Sequence, residues 1–466
     1  MGTATVDTTV ANTGNPLIDG LVWGSKWESA GPTTITVGYW PNVFDVDRFG
    51  NDTGVTRPLS AAELQAINAT LAEYEKYINV DFVFIGEDSG EVSDIQFVLS
   101  NDKSTTNYGE AHPPGEYTNI TGNAEPNPGF SEVWIYTSNY ENRGGPLRTG
   151  DYDFITFIHE FGHAMGLAHP HDDGGTPSDS SAIFPGVGGP FNDYGDFNLN
   201  QGIFTTMSYN DGWPEHIRNS AKAYGYQGGM MALDIQALQY LYGANMSYHT
   251  GADSYTLTPT NTKGAYYECI WDAGGTDGIV MNGTKACTID LRAATGQLEE
   301  GGGGFVSYVK GVKGGLTIAV GVTIENATSG KGADFLIGND VGNILTGNGG
   351  KDTYTGNGGA DQFVFLALKD TTTSASSADI IKDFQVGVDD INLHDFDIDA
   401  RTLGVQTLAW DFIDEGKFTA AGQINSFYDV KKNQTVISIN TDADTRAEAV
   451  IVLSGNHDLT DSDFIF

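Results

Sequence analysis

The stretch His159 to Asp173, HEFGHAMGLAHPHDD, carries four of the nine histidines in 466 residues. His159 and His163 stand four apart, so on one helix both rings project from the same face toward one point. Glu160 follows the first histidine and can reach a water held by an ion at that point. Gly166 lets the chain leave the helix in a left-handed turn that a β-carbon would penalise. Three residues later, His169 returns toward the same point. H-E-x-x-H alone arises by chance in about one such chain in a hundred, and the added Gly and His cut that several hundredfold. Histidines packed as ordinary helix core are a poor alternative, because Phe154, Ile158, Phe161 and Met165 already supply the apolar stripe. The expectation is one catalytic zinc ion on three neutral imidazoles, with Glu160 as general base. His171 lies beyond Pro170, which turns the chain, and is expected to be a loop residue outside the set.

The second chemistry is spread along the chain. With 61 acidic and 23 basic side chains the net charge is −38, which repels nucleic acid and anionic membrane, so neither is expected as a partner. A merely soluble surface would explain that number, and so would a set of hard-cation ligands; clustering decides between them. Four nine-residue units stand in register: SGKGADFLI (329–337), GNDVGNILT (338–346), GNGGKDTYT (347–355) and GNGGADQFV (356–364). Their sixth positions are Asp334, Asn343, Asp352 and Asp361, and their eighth are Leu336, Leu345, Tyr354 and Phe363. A flexible linker explains the glycines but not an acid or amide kept in phase with an apolar residue. The pattern is that of a parallel β-roll, in which Gly/Asn turns and carboxylates hold several structural Ca²⁺ ions between coils.

These residues need elements to hold them. Ser60 and Glu63 form a capping box, followed by Leu64, Ile67, Leu71, Tyr74 and Ile78 at helical spacing. Strands are predicted at 33–39, 80–85, 94–100 and 132–138. A second helix starts from Asp151 as N-cap and carries the histidines, and a third spans roughly Met230 to Leu241. After Ala244, helical patterns give way to short strands between Gly, Asn and Asp. The predicted organisation is an α+β catalytic domain over 1–245 and an all-β domain over 246–466, the latter a parallel β-roll with antiparallel strands packed on it as a sandwich. No run of 18 apolar residues is present, so no membrane span is expected. The start lacks a basic n-region and an apolar h-region, so no Sec-type signal is expected. A disulfide between Cys269 and Cys287 and two buried free thiols both fit the sequence.

FTTMSYN (204–210) adds a methionine turn, with Met207 as a polarisable floor for the histidines. HEFGHAMGLAHP, MSY and the nonapeptide array together resemble the serralysins, secreted bacterial metzincin proteases with a C-terminal calcium β-roll. WDAGGTD (271–277), TIENA (323–327) and LYGAN (241–245) extend the resemblance to nearly the whole chain. It implies a zinc metalloendopeptidase acting on protein and peptide substrates, with Tyr209 as a further zinc ligand and a helper for the oxyanion. It also implies calcium ligands before the repeats: Gly251, Asp253, Asp272, Gly274, Gly275, Asp277 and Glu325. His249 departs from the basic residue expected at its position. The resemblance further implies an extracellular monomer, exported by a type I exporter that reads the terminal Asp463–Phe466. The strand containing Val133, Trp134 and Ile135 is expected to bind substrate as an edge strand or to be an ordinary core strand. The competing function is a calcium-dependent binding or adhesion module with an inactive metal site; an intact Glu160 argues against it, since a structural zinc needs no general base. The loop 183–191, IFPGVGGPF, has no role in either reading.

Overall fold

A computed structural model describes residues 4–466 apart from 30–32, 41–57, 88–92, 102, 104, 115, 119–123, 127–129, 141–146, 173–181, 215, 217–222, 398–407 and 443. Three helices organise the first half: α1 (Ala61–Tyr77), α2 (Tyr152–Ala164) and α3 (Ala232–Tyr242). Ser60 and Glu63 make the expected capping box for α1, and the Asp151 side chain accepts from the Phe154 N–H at the start of α2. Leu64, placed by its spacing in the buried stripe, is instead exposed; Ala66, Thr70 and Tyr77 help fill that face. Beside the helices lies a five-stranded sheet of β1 (Thr33–Tyr39), β2 (Val80–Glu87), β3 (Ile95–Ser100), β4 (Gly109–Ala111) and β5 (Ser131–Tyr136), in the order β2-β1-β3-β5-β4. The β4–β5 pair is antiparallel and the others are parallel.

Phe161 of α2 is the centre of this packing. Its ring meets Tyr74 of α1 edge-on at 5.0 Å and Phe97 of β3 in a parallel stack at 5.8 Å. Tyr74 Oη donates to the Ile158 carbonyl (2.8 Å) and Trp27 Nε1 to the Ala164 carbonyl (2.9 Å), so buried side chains fix both the roll and the end of α2.

From Ser254 on, the described regular structure is strand, apart from two single 3₁₀ turns. One sheet of seven parallel strands runs Ser254–Thr256, Gly278–Val280, Asn326–Thr328, Ile344–Thr346, Gln362–Val364, Asp390–Asn392, Phe464–Ile465. The other has eleven strands, and its parallel stretch is Cys287–Asp290, Phe335–Ile337, Thr353–Thr355, Asp379–Ile381, Ala449–Ser454. Each nine-residue unit thus gives one strand, and successive strands go to opposite sheets. Leu336, Leu345, Tyr354 and Phe363 all point between the sheets and are fully buried.

Two expectations change here. The strands after the repeats do not sit on the roll as a separate sandwich: Asp379–Ile381, Asp390–Asn392 and Phe464–Ile465 prolong its two sheets in parallel, and only Gln423–Asp429, Gln434–Asn440 and Ala449–Ser454 form an antiparallel meander. The roll's own sheets also begin well before the repeats, at Ser254 and Tyr267. As for the cysteines, both are buried and free. Cys269 and Cys287 lie on strands with two others between them, three spacings of about 4.8 Å, which is beyond the reach of a disulfide.

Candidate metalloprotease site and carboxylate ladder

The three histidines of the motif converge. His169 Nε2 lies 3.1 Å from His159 Nε2 and 3.0 Å from His163 Nε2. Each opposite ring nitrogen has a partner that can only accept: the Thr206 carbonyl for His159 Nδ1 (2.9 Å), the Leu167 carbonyl for His163 Nδ1 (2.8 Å), and Asp172 Oδ2 for His169 Nδ1 (2.9 Å). All three Nδ1 atoms therefore carry the proton, and three Nε2 lone pairs face one another. Lone pairs at this distance repel unless a cation sits among them. Three nitrogens about 2.0–2.1 Å from a tetrahedral zinc stand about 3.3 Å apart, close to what is seen. The donor set fits zinc. Burial, and then His169, lowers His159 to about 3; burial and the other two histidines lower His163 as well, so both stay neutral and able to ligate.

The surroundings hold this triad in place. Gly166 has φ +93° and lies against the Ser25 carbonyl, so the turn that returns His169 has no room for a side chain. Met207 is fully buried below the histidines, and a β-carbon at Gly162 would stand 2.9 Å from its sulfur. The methionine turn is itself pinned by Asp234 of α3, whose carboxylate accepts from Thr205 Oγ1 (2.6 Å) and from the N–H groups of Thr206 (2.6 Å) and Met231 (2.9 Å). Burial pushes this carboxyl up to about 6. Asp172, Thr206 and Asp234 do for the ligands what a second layer of hydrogen bonds does at metal sites: they fix ring orientation and tautomer.

Glu160 is buried at the wall of a cleft of about 460 Å³ that also touches His159, Tyr152, Ile155, Phe191 and Tyr209. Burial, and then the charge of Glu110, pushes its carboxyl well above the ordinary range. Gly109 of β4 passes so close that a β-carbon there would collide with the Glu160 side chain. Tyr209 stands over the histidines, its ring 4.6 Å from that of His169 and 5.9 Å from that of His159.

The structure decides one alternative the sequence left open and gives His171 contacts its place after Pro170 did not suggest. Strand β5, with Val133, Trp134 and Ile135, is no edge: it pairs with β3 on one side and β4 on the other, and Val133 and Ile135 are fully buried. On that side of the sheet the last described strand is β4, a three-residue strand too short to show a period, and β2 is the last at the other end. His171 is not turned away either. Its ring stacks on His169 at 4.9 Å and meets Tyr209 at the same distance. Asp172 and Gly109 were missed in the sequence; the first is signalled only by an acid three past the last ligand, and the second by nothing local.

In the roll, the aspartates form a ladder. Asp352 Oδ1 accepts from the Asp334 N–H (2.9 Å), Asp379 Oδ1 from that of Asp352 (2.7 Å), Asp361 Oδ1 from that of Asn343 (2.8 Å), and Asp389 Oδ1 from that of Asp361 (3.1 Å). The other oxygens, Oδ2 of Asp277, Asp334, Asp352, Asp361 and Asp379, are buried without any hydrogen-bond partner. A buried acceptor left unmade costs about 1–3 kcal/mol, more when charged. Oxygens of this kind suit a hard cation, and calcium takes such ligands. Gly350, with φ +146°, could bear no β-carbon without striking the Gly332 carbonyl, and Gly275 stands likewise against the Gly251 carbonyl, so carbonyls also line the turns. Asp277 accepts from the Asp253 N–H, and Glu325 from that of Asp277. Asp272 accepts from the Gly274 N–H and from Tyr255 Oη, while Asp253 lies 3.6 Å from His249 Nδ1.

Asn343 differs from the aspartates of the repeat in its hydrogen bonds. Its Nδ2 donates to the Glu325 carbonyl and Asn339 Oδ1, and its Oδ1 accepts from the Asn339 N–H, so the amide is spent on the protein. Asp379 and Asp389 were missed because a loop of 365–378 breaks the nine-residue phase.

Comparison with known proteins agrees with this construction. A family model described as "Peptidase M10 serralysin C terminal" matches residues 232–466. The chain is 32% identical over 463 residues to Serralysin of Proteus mirabilis, covering 90% of this chain and 84% of the relative. It is 35% identical to Metalloprotease AprA of Pseudomonas entomophila (71% of this chain, 67% of the relative) and 31% identical to Serralysin C of Dickeya chrysanthemi (89% and 81%). Family model and relatives converge on one assignment: the chain belongs to the serralysin family.

Proposed function

We propose that the chain is a secreted zinc endopeptidase, with a catalytic part over 1–245 and a calcium-stabilised roll over 246–466. The observation that carries this is the meeting of three Nε2 lone pairs at 3.0–3.1 Å beside a buried glutamate in an open cleft. His159, His163 and His169 would hold the zinc, with Tyr209 as a further ligand in the resting enzyme; when bound, zinc supplies Lewis-acid activation of water and of a carbonyl. An extended peptide adds to β4, at the end of the sheet beside the cleft, and lies across the cleft above the base. Glu160 takes the proton of the attacking water and passes it to the departing amine. Tyr209 donates its hydroxyl proton in a hydrogen bond to the carbonyl oxygen as charge develops there. Asp172 holds His169 in its ligating tautomer throughout. The relatives' names support a metalloprotease, and among the described residues no helix is long and apolar enough to cross a membrane.

Calcium would bind at the orphaned oxygens of the ladder and at the cluster around Asp253, Asp272 and Asp277. Export by a type I exporter through Asp463–Phe466 is part of the same proposal; in the fold, Asp463 accepts from the Gly387 N–H (2.7 Å) and Phe464–Ile465 closes the seven-stranded sheet. Casein hydrolysis by wild type and by Glu160→Ala tests the mechanism. A fall of about 10²–10⁴-fold is expected. Equal activity would remove Glu160 from its role and favour the binding-module reading.

A further inference from the structure

The loop 183–200 lies between the histidine motif and the methionine turn, and neither ligates nor caps. It is nonetheless fixed. Asn192 N–H donates to Asn210 Oδ1 (2.7 Å), Asn210 Nδ2 to the Asp193 carbonyl (3.1 Å), Asn200 Nδ2 to the same carbonyl (2.7 Å), and Gly188 N–H to Asp193 Oδ2 (2.7 Å). Asn192, Phe197 and Asn198 are held at φ of 57°, 55° and 59°, the left-handed region that phenylalanine in particular occupies only when its surroundings impose it. What this fixed loop displays is Phe191, 64% exposed, immediately before its anchor.

A single exposed apolar residue needs no explanation by itself. Phe191, however, stacks on Tyr209 at 5.4 Å with the planes 26° apart, and it lines the same cleft as His159 and Glu160. Behind Tyr209 stands His171, itself stacked on His169. The result is an aromatic row, Phe191–Tyr209–His171, of which Phe191 and Tyr209 line the cleft. Water gains nothing from such a surface, whereas an apolar ring laid on it is removed from water and stacks.

We propose that Phe191 is a specificity-determining residue whose exposed face binds an aromatic or large apolar side chain flanking the scissile bond of the peptide. This rests on the peptidase reading and adds to it a substrate class. The occupant is argued from continuity: Phe191 and Tyr209 line the cleft in which an extended peptide would lie, and strand geometry sends alternate side chains to each wall.

The test uses the full chain with zinc and calcium and a peptide series in which each position flanking the cleaved bond is alanine, leucine or phenylalanine. At one position wild type should favour phenylalanine over alanine by about tenfold or more in kcat/KM, the scale of one apolar group gained by a pocket. Phe191→Ala should erase that ratio chiefly through KM, and Phe191→Leu should restore part of it. Peptide binding to Glu160→Gln protein, by fluorescence anisotropy, should show the same preference without turnover and lose it in the Glu160→Gln, Phe191→Ala double variant. If Phe191 merely props Tyr209, all peptides fall by one factor and in kcat, and the proposal is wrong. Cleavage with no preference dependent on Phe191 also overturns it while leaving the peptidase reading intact. Failure of wild type to cleave any peptide, with the binding preference still present, would instead overturn the peptidase reading alone.

Discussion

The histidine centre and the aspartate ladder are built for cations by opposite designs. At the centre, eleven residues of sequence deliver all three histidines, and each ring is locked by one further hydrogen bond to Thr206, Leu167 or Asp172. Burial keeps His159 and His163 neutral, and the site is set against an already packed core of Phe161, Met207 and their neighbours. In the ladder the side chains are carboxyls spread over more than a hundred residues, and Asp277, Asp334, Asp352, Asp361 and Asp379 each spend one oxygen on a backbone N–H while the other is left orphaned. The first site is preformed, its ring nitrogens already converged; the second is a set of crowded carboxyls whose mutual repulsion a cation or a proton relieves. Cation removal should therefore empty one and dismantle the other.

The largest effect expected from this contrast is on calcium removal. Selective chelation should melt residues 250–370 at a lower temperature than the catalytic part, with the β signal in circular dichroism falling before the helical one. Each occupied site adds about 2.7 kcal/mol at a hundredfold excess of calcium over its dissociation constant, so several sites matter greatly. A β signal indifferent to calcium would break the comparison. Next, Asp172→Asn should weaken zinc binding about 10–100-fold, read by competition with a chromophoric chelator, without shifting the calcium-dependent melt. Gly109→Ala should lower kcat/KM about tenfold or more at unchanged zinc content, because the added carbon displaces the base and not a ligand.

The smallest effect is on pH. Burial raises Asp352 to about 8 and Asp361 and Asp379 to about 7, from an ordinary 3.8. Between those values the cation-free folded roll binds protons that the unfolded chain does not. Its stability is then fully present below about pH 4 and is lost as pH rises through 7–8. In chelator, the roll should melt several degrees higher at pH 5 than at pH 8. With calcium present the trend should reverse, since protons compete for the ligand oxygens.

The same contrast governs how much could be read from sequence. His159, His163 and His169 were legible because helical spacing and one glycine determine where their rings go, and the roll was legible because Leu336, Leu345, Tyr354 and Phe363 keep phase with their acids. What failed depended on partners distant in sequence. Strand β5 looks like any amphipathic strand until β4, 22 residues earlier at its start, covers its far side. His171 follows a proline, yet the loop brings it back onto His169 and Tyr209. Asn343 occupies a ligand's place in the repeat, but Asn339 and the Glu325 carbonyl consume its amide. Asp379 repeats the ladder's geometry out of phase. Local periodicity predicts local geometry, and pairing across the fold has to be seen.

The passage of Gly109 over Glu160 bears on how such an enzyme can change. A β-carbon at Gly109 finds no room beside Glu160, whereas Phe191 stands exposed on a tethered loop of the same cleft. Substitution at Gly109 disturbs the base, while substitution at Phe191 alters the cleft lining without displacing it, so the cleft can vary in shape at one residue and not at the other.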